Sequence, residues 1–418
     1  MATLSPTTDV LVVGAGPVGL LTALELARAG VQVEIIDRAW RFAAESYACA
    51  LHPSSMEVLS RLGLHHAALE QGARVDVAAF YESHHRRAEL RWEAIPSAFP
   101  YLLVLPQHRL EAILADALQA AGVQIRWGHR LDRCQSGDNA VTAGVEKLGV
   151  TSVGYPFARS EEMVENSLDV RAQYLVGADG AHSHVRQCLG IPTDVLGPPA
   201  AFDVIEFTPA ADPGTEFRVA WSPQTTDAFW PLPGGLGRWT LQREPNESES
   251  DPQCAELFAR LDHAHERPLR RLWTDRIRRR APWYDAGVQE IDWVAHVVFT
   301  PQLARQFGRD RVWLAGDAAR QTGPVGVQGI NIGFREAVSL ADALSRILLH
   351  AASPSLLESY QQERRTEWSF LLGASSGLTP RPGAPAWTSE NRARLLPCLP
   401  GSGPELGLLA AQLGLAAL

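Results

Sequence analysis

Apolar positions along the chain follow two periods. Val10–Val13 form a short apolar run, a Gly-rich turn follows, and Leu20, Leu24 and Ala27 then recur at helical spacing until Gly30. The run suits a strand buried in a parallel sheet, and the recurrence suits a helix packed on it by one face. A second apolar run, Val31–Ile36, ends at Asp37. Strand-then-turn patterns return at Tyr174–Arg186 and Val312–Arg320, and beyond the latter Ile330, Phe334, Ala337, Ala341, Leu344 and Leu348 mark a long helix. Residues 200 to 245 change character. AFDVIEFTP, EFRVAWS, DAFWPLP and GRWTLQR read as short strands, with Pro233-Gly234-Gly235 as a hairpin turn. Residues near 75 to 105, including Phe80, Tyr81 and Trp92, are expected to add strands to the same sheet. A helical stretch follows, and Trp293 leads back toward the first part of the fold. Pro380, Pro382, Pro385, Pro397, Pro400 and Pro404 predict a loop-rich wrap, closed by an apolar helix from Glu405 to Leu418 that docks on the body.

Composition narrows the class. With 418 residues, 46% hydrophobic and 20% charged, the chain can bury a substantial core and exceeds one typical domain. No apolar run has the length of a membrane span, and MATLSPTTD lacks the features of a signal peptide, so an intracellular, cytoplasmic protein with no integral membrane association is expected. The net charge of -9 argues against a nucleic-acid partner. One basic cluster stands out, with Arg267, Arg270, Arg271, Arg276, Arg278, Arg279 and Arg280 on a predicted helix. It could dock an anion such as the phosphates of NADPH, but a solvated helix face is the favoured interpretation. Five scattered cysteines without a C-x-x-C pair indicate reduced thiols, with neither a disulfide framework nor a metal site.

The first motif reads Gly14-Ala15-Gly16-Pro17-Val18-Gly19 between strand and helix. Gly14 permits a tight turn, Gly16 lets the backbone approach a pyrophosphate, and Gly19 lets the helix pack closely, while the helix N-terminus offers free N–H groups to an anion. Asp37 stands eighteen residues past Gly19, where a carboxylate can accept from a ribose diol. Strand, motif, helix, strand and acid in that order indicate dinucleotide binding. The later stretch GDAARQTGPVGVQGIN supplies a second site of the same kind: Gly316 and Asp317 after a strand, then Pro324, Gly326 and Gly329 before the long helix. Its helix N-terminus would stabilise negative charge on the pyrimidine ring of a reduced flavin, which a nicotinamide does not develop.

On these motifs the chain resembles the class A flavoprotein monooxygenases, the p-hydroxybenzoate hydroxylase-like aromatic hydroxylases, over roughly residues 8 to 365. The resemblance implies an α/β fold: a Rossmann-like FAD-binding domain, an antiparallel-sheet substrate domain and a C-terminal helical segment. Residues 1–75, 100–190 and 290–350 would form the first, 76–99 and 191–289 the second, and 351–418 the third. It further implies that Gly14, Gly16, Pro17, Gly19 and Asp37 hold the adenosine and pyrophosphate, and that Arg38 flanks the adenine. Gln107, in a Pro-Gln-x-x-Leu-Glu element, would contact the linking chain. Asp179 would touch the pyrophosphate and bear on NAD(P)H use, and Gly316 and Asp317 would meet the ribitol. Pro324, Gly326, Val327, Gly329, Ile330 and Asn331 would line the isoalloxazine.

Four positions depart from the family's pattern. Tyr47 stands where Arg is common, Val327 where the loop has a second Gly, Arg320 where His follows Gly-Asp-Ala-Ala, and Glu336 where Asp is usual. A β-branched residue tolerates positive φ poorly, so the loop is expected to avoid that conformation at Val327. Arg320 would either face the flavin or form a surface ion pair with Glu336 or another acid. No catalytic base emerges; Arg320 and Pro324 are the candidates nearest the chemistry, and His182, His184 and His296 are available titrating groups.

The implied activity is insertion of one oxygen atom of O2, by way of a flavin C4a-hydroperoxide, into an aromatic or polycyclic small molecule. FAD would be bound and NADPH or NADH a transient co-substrate, in a monomer or homodimer. The Trp-rich segment, with Trp221, Trp230, Trp239, Trp273, Trp283 and Trp293, suits a flat apolar substrate, although each Trp individually reads better as core. RWEAIP has the wrong spacing for a flavin-dependent halogenase. A reductase or dehydrogenase that does not activate oxygen, and a non-catalytic flavin-fold scaffold, are the alternatives.

Overall fold

The computed structural model describes residues 4–42, 49–153, 159–244 and 266–417. Tyr47, Cys254 and the side chain of Arg267 lie outside the described residues. The strand Thr7–Val13 lies at the centre of an eight-stranded sheet, parallel to Arg159–Gly177 on one side and Val33–Asp37 on the other. Ile125–Trp127 and Val312–Leu314 extend the parallel array outward. Val10, Leu11 and Val12 are fully buried, as a strand covered on both faces requires. The helices Pro17–Arg28 and Gln328–His350 pack across one another, close enough that a Cβ on Gly333 would meet Val18 Cγ2 at 2.5 Å.

A second, seven-stranded sheet is ordered 290–299, 200–208, 237–242, 226–231, 217–221, 77–82, 85–91. All four strands expected between 200 and 245 are present, and Leu232 N–H donates to Leu236 O (2.8 Å) across the Pro-Gly-Gly turn. The expected antiparallel sheet contains one parallel pair, Phe217–Trp221 with Val77–Glu82, because these strands arrive from distant parts of the chain. Leu102–Val104 does not join it, pairing instead with Ala50–Leu51 and Ala73–Val75. Glu290–Phe299, expected at the return to the first domain, is the edge strand of this sheet, in register with Ala200–Thr208.

Alternation along Ala200–Thr208 turns Ile205 and Phe207 outward, where they form a core with Trp239, Leu241, Leu269, Trp273 and Ile277 under the helix Glu266–Arg280. Phe202 faces the other way, into the main core. The basic cluster on that helix is more than a solvated face. Arg276 donates to the fully buried Asp203 (2.5 Å), which His296 Nδ1 and Arg243 also reach at 2.9 and 3.2 Å, and Arg280 contacts Thr225 and Glu244. Arg271, 88% exposed at its side chain, and the exposed Arg278 and Arg279 keep the expected solvated character. Arg276 and Arg280 fasten helix to sheet.

The C-terminal helix is shorter than expected, Pro404–Gln412, because Gly414 at φ +71° turns the chain into a short strand paired with Thr379–Pro380. It does dock on the body: Gln412 exchanges two hydrogen bonds with the backbone of Arg91, each 2.8 Å.

Candidate flavin site

Two cavities meet at Gly16. One, about 290 Å³, runs from Gly16 and Pro17 past Gln107, Gly316 and Asp317 to Pro324, Val327, Gly329 and Ile330, with Phe299 of the large sheet on its wall. The other, about 580 Å³, holds Gly14, Asp37, Arg38, Asp179 and His182. Gly16, Ala178 and Gly180 line both, so the cavities form one elongated cleft.

The three motif glycines serve different ends. Gly14 adopts φ +106°, and a Cβ there would lie 2.3 Å from Ala178 O. A Cβ on Gly19 would come within 1.9 Å of Gly14 O, so this glycine permits helix–turn packing. A Cβ on Gly16 would meet nothing within 4 Å: it would project into the open cleft, where the backbone must come close to a ligand. Asp37 accepts from Ala15 N–H and Ala39 N–H, both 2.7 Å, which holds the turn and places the carboxylate in the larger cavity. Asp179 accepts from Ser183 Oγ–H (2.6 Å) and the His184 and Val185 amides (2.7 and 3.1 Å), so it caps the following turn while lining the same cavity. Gln107 donates to Glu111 (2.7 Å), whose carboxyl burial raises to about 7, with Gln107 opposing and the charge of Asp37 reinforcing the rise.

At the other end, Val327 corrects the expectation drawn from its β-branch. It sits in the left-handed region at φ 46°, ψ 30°, immediately before the helix Gln328–His350. Neighbours impose that conformation. Asn331 Nδ2–H donates to Val327 O (2.8 Å) and Ala50 O (3.0 Å), while its Oδ1 accepts from His52 N–H and Ser55 Oγ–H, both 2.7 Å. Gly326 N–H donates to Pro397 O (3.0 Å), and a Cβ on Gly326 would clash with that carbonyl at 2.7 Å. Gly326 and Asn331 therefore face protein and not the cleft; Pro324, Val327, Gly329 and Ile330 face the cleft.

His52 was not singled out by sequence. Burial pushes its imidazole down to about 3, so it is neutral. Because a carbonyl can only accept, Nε2–H must donate to Gly326 O (3.1 Å), leaving Nδ1 to accept from Ser402 Oγ–H (3.3 Å). Gln328 donates to Leu396 O and Leu399 O (3.0 and 3.2 Å), completing a seam between the loop and the C-terminal segment. Arg320, expected at the flavin or on the surface, is buried behind the cavity wall, paired with Glu336 and Asp317. His184 Nε2 contacts Asp132 O (2.7 Å), and His296 lies on the Asp203 side of the large sheet, away from the cleft lining.

The residues present fit a flavin dinucleotide: an open-sided glycine at the midpoint, an acid at each end, and an uncapped helix N-terminus bordering the smaller cavity. Among the described residues no group of three potential ligands could hold a metal, and no helix is long and apolar enough to cross a membrane.

The fold and this cleft define an FAD-binding protein, and residues 7–369 match the family described as FAD binding domain. The chain belongs to the FAD-dependent monooxygenases of the p-hydroxybenzoate hydroxylase-like class. It is 30% identical to the rifampicin monooxygenase of Streptomyces venezuelae over 361 residues, covering 85% of this chain and 68% of the relative. It is also 30% identical to the 6-methylpretetramide 4-monooxygenase of Streptomyces rimosus, over 89% of this chain and 61% of that one. The chain thus spans about two thirds of the length of these relatives. Among solved structures, aklavinone-11 hydroxylase in complex with FAD and aklavinone superposes with TM-score 0.68 at 27% identity, over 88% of this chain and 68% of that one. The p-nitrophenol 4-monooxygenase of Pseudomonas putida superposes with TM-score 0.73 at 24% identity, over 96% and 91%, and attests the fold.

Proposed function

We propose that this protein uses FAD and a transiently bound NADH or NADPH to insert one oxygen atom of O2 into an aromatic or polycyclic small molecule. The observation that carries the proposal is the continuous cleft through Gly16, with room for a dinucleotide and with Phe299 of the seven-stranded sheet facing the same cavity as Pro324. FAD, when bound, supplies the redox and oxygen-activating chemistry. The chain supplies placement. Asp37 and Arg38 would hold the adenosine end, Gly16 the pyrophosphate, Asp317 the ribityl chain, and Pro324 to Ile330 the ring. The first N–H groups of the helix Gln328–His350 would favour negative charge on the ring's pyrimidine edge. The eight-stranded sheet and its helices would form the FAD-binding domain, and the seven-stranded sheet the substrate domain.

The substrate would lie between ring and sheet, against Phe299 and Ile330. Relatives named for rifampicin, 6-methylpretetramide and aklavinone support a polycyclic aromatic substrate for this chain too. The test is NAD(P)H oxidation with oxygen uptake across a panel of phenols and polycyclic aromatics. Substrate-stimulated uptake with a product one oxygen heavier is expected. Oxidation of the nicotinamide without oxygen uptake would establish the reductase instead.

A further inference from the structure

Arg320 and Glu336 both depart from the family's pattern, and the fold brings them together. Arg320 is 1% exposed and Glu336 fully buried. Arg320 Nε and Nη2 donate to Glu336 Oε1 and Oε2 at 3.2 and 3.1 Å. Nη1 donates to Asp317 Oδ1 (2.8 Å), and Nη2 also reaches Gly329 O (2.7 Å). Glu336 accepts further from Gly316 N–H and Trp368 Nε1–H, both 2.7 Å, and the guanidinium lies 4.4 Å from the Trp368 ring centroid. Asp317, Gly316 and Gly329 all line the smaller cavity. A histidine has two ring nitrogens and could not serve Asp317, Gly329 and both oxygens of an acid together; the planar, five-donor guanidinium can.

We propose that Arg320 and Glu336 are a positioning pair that ties Asp317 to the first turn of the helix Gln328–His350, and so sets how tightly FAD is held and at what potential it is reduced. The proposal rests on the flavin reading above. The tether fixes the distance between the acid assigned to the ribityl chain and the backbone assigned to the ring. It also places one cation between two carboxylates, the buried Glu336 and the half-exposed Asp317, leaving excess negative charge beside the cavity that the burial of Arg320 and Glu336 keeps partly unscreened. Negative charge there disfavours adding electrons to a bound flavin.

The test measures the dissociation constant for FAD, by titrating deflavinated protein, and the midpoint potential of the holoprotein. Glu336→Gln, which removes one negative charge, is expected to shift the potential upward. Glu336→Asp, which keeps the charge but shortens the reach, is expected to weaken FAD binding by about tenfold without moving the potential, and serves if the Gln variant does not fold. Arg320→His alone should lose affinity that the Arg320→His/Glu336→Asp double variant partly regains. Wild-type protein that binds FAD, beside Glu336 variants with unchanged affinity and potential, would overturn the tether. Strictly additive losses in the double variant would overturn the pairing. Wild-type protein that takes up no FAD would overturn the flavin reading itself, and the tether with it.

Discussion

At the Gly14–Asp37 end of the cleft one strand–helix–strand unit closes on itself, with Gly19 against the Gly14 carbonyl and the Asp37 carboxylate on the Ala15 amide, and its turn packs against Ala178 at the end of the neighbouring strand. At the Asp317–Asn331 end local bonds are joined by partners from distant parts of the chain. The loop is held by His52 and Ala50 from one direction, Leu396, Pro397 and Leu399 from another, and Glu336 from behind, with Ser402 and Trp368 bonded in turn to His52 and Glu336. Close backbone approach builds the first end and buried side-chain hydrogen bonds build the second. The first should therefore fail through steric change and the second through loss of polar partners.

The largest effect is expected at the first end. Gly14→Ala forces a Cβ to within 2.3 Å of Ala178 O at φ +106°, and should cost about 3 kcal/mol or more, read from urea unfolding. A loss below about 1 kcal/mol would show that the turn can yield. At the second end, Asn331→Ala leaves Val327 O, Ala50 O, His52 N–H and Ser55 Oγ–H short of partners. A loss on the order of 2–4 kcal/mol is expected by the same assay; a near-neutral variant would mean the loop holds its left-handed residue without the latch.

Glu111, between the two ends, carries a pH dependence. Its folded-state pKa of about 7 lies above the usual carboxylate value, so its contribution is fully present below about pH 4 and is lost as pH rises through about 7. Between pH 5 and pH 8 the unfolding free energy of Glu111→Gln should therefore gain on that of wild type, by on the order of 1–3 kcal/mol. Parallel pH profiles for the two proteins would place the titration elsewhere.

Sequence made the two ends unequally visible. Gly14, Gly16, Gly19 and Asp37 belong to one short unit, so spacing alone gives each a distinct steric or polar task, and the φ of +106° at Gly14 and the close approach of Gly19 to Gly14 O agree with the tight turn and the close helix packing read from them. The partners of the second loop lie 274 residues before it at His52 or 71 after Gln328 at Leu399, distances over which no periodicity carries information. Sequence allows an Arg320–Glu336 pair only as one surface contact among several; its burial follows from helix packing and from Trp368, neither of which leaves a mark near Arg320. Val327 shows the same limit. Its side chain argues against positive φ, and tertiary hydrogen bonds overrule it. The arginines of Glu266–Arg280 could not be sorted into fastening and solvated members without Asp203 and Thr225 opposite them.

The most direct measurement compares wild type with Gly16→Ala, whose added methyl meets nothing in the protein and points into the cleft. The visible spectrum with added FAD and the thermal melt are recorded for both. Flavin bands in the wild type, binding at least about tenfold weaker in the variant, and melting temperatures within about 2 °C are expected, since a surface methyl in open space costs little. Absence of flavin bands in the wild type, or equal FAD affinity in both proteins, would contradict the assignment of this cleft to the dinucleotide.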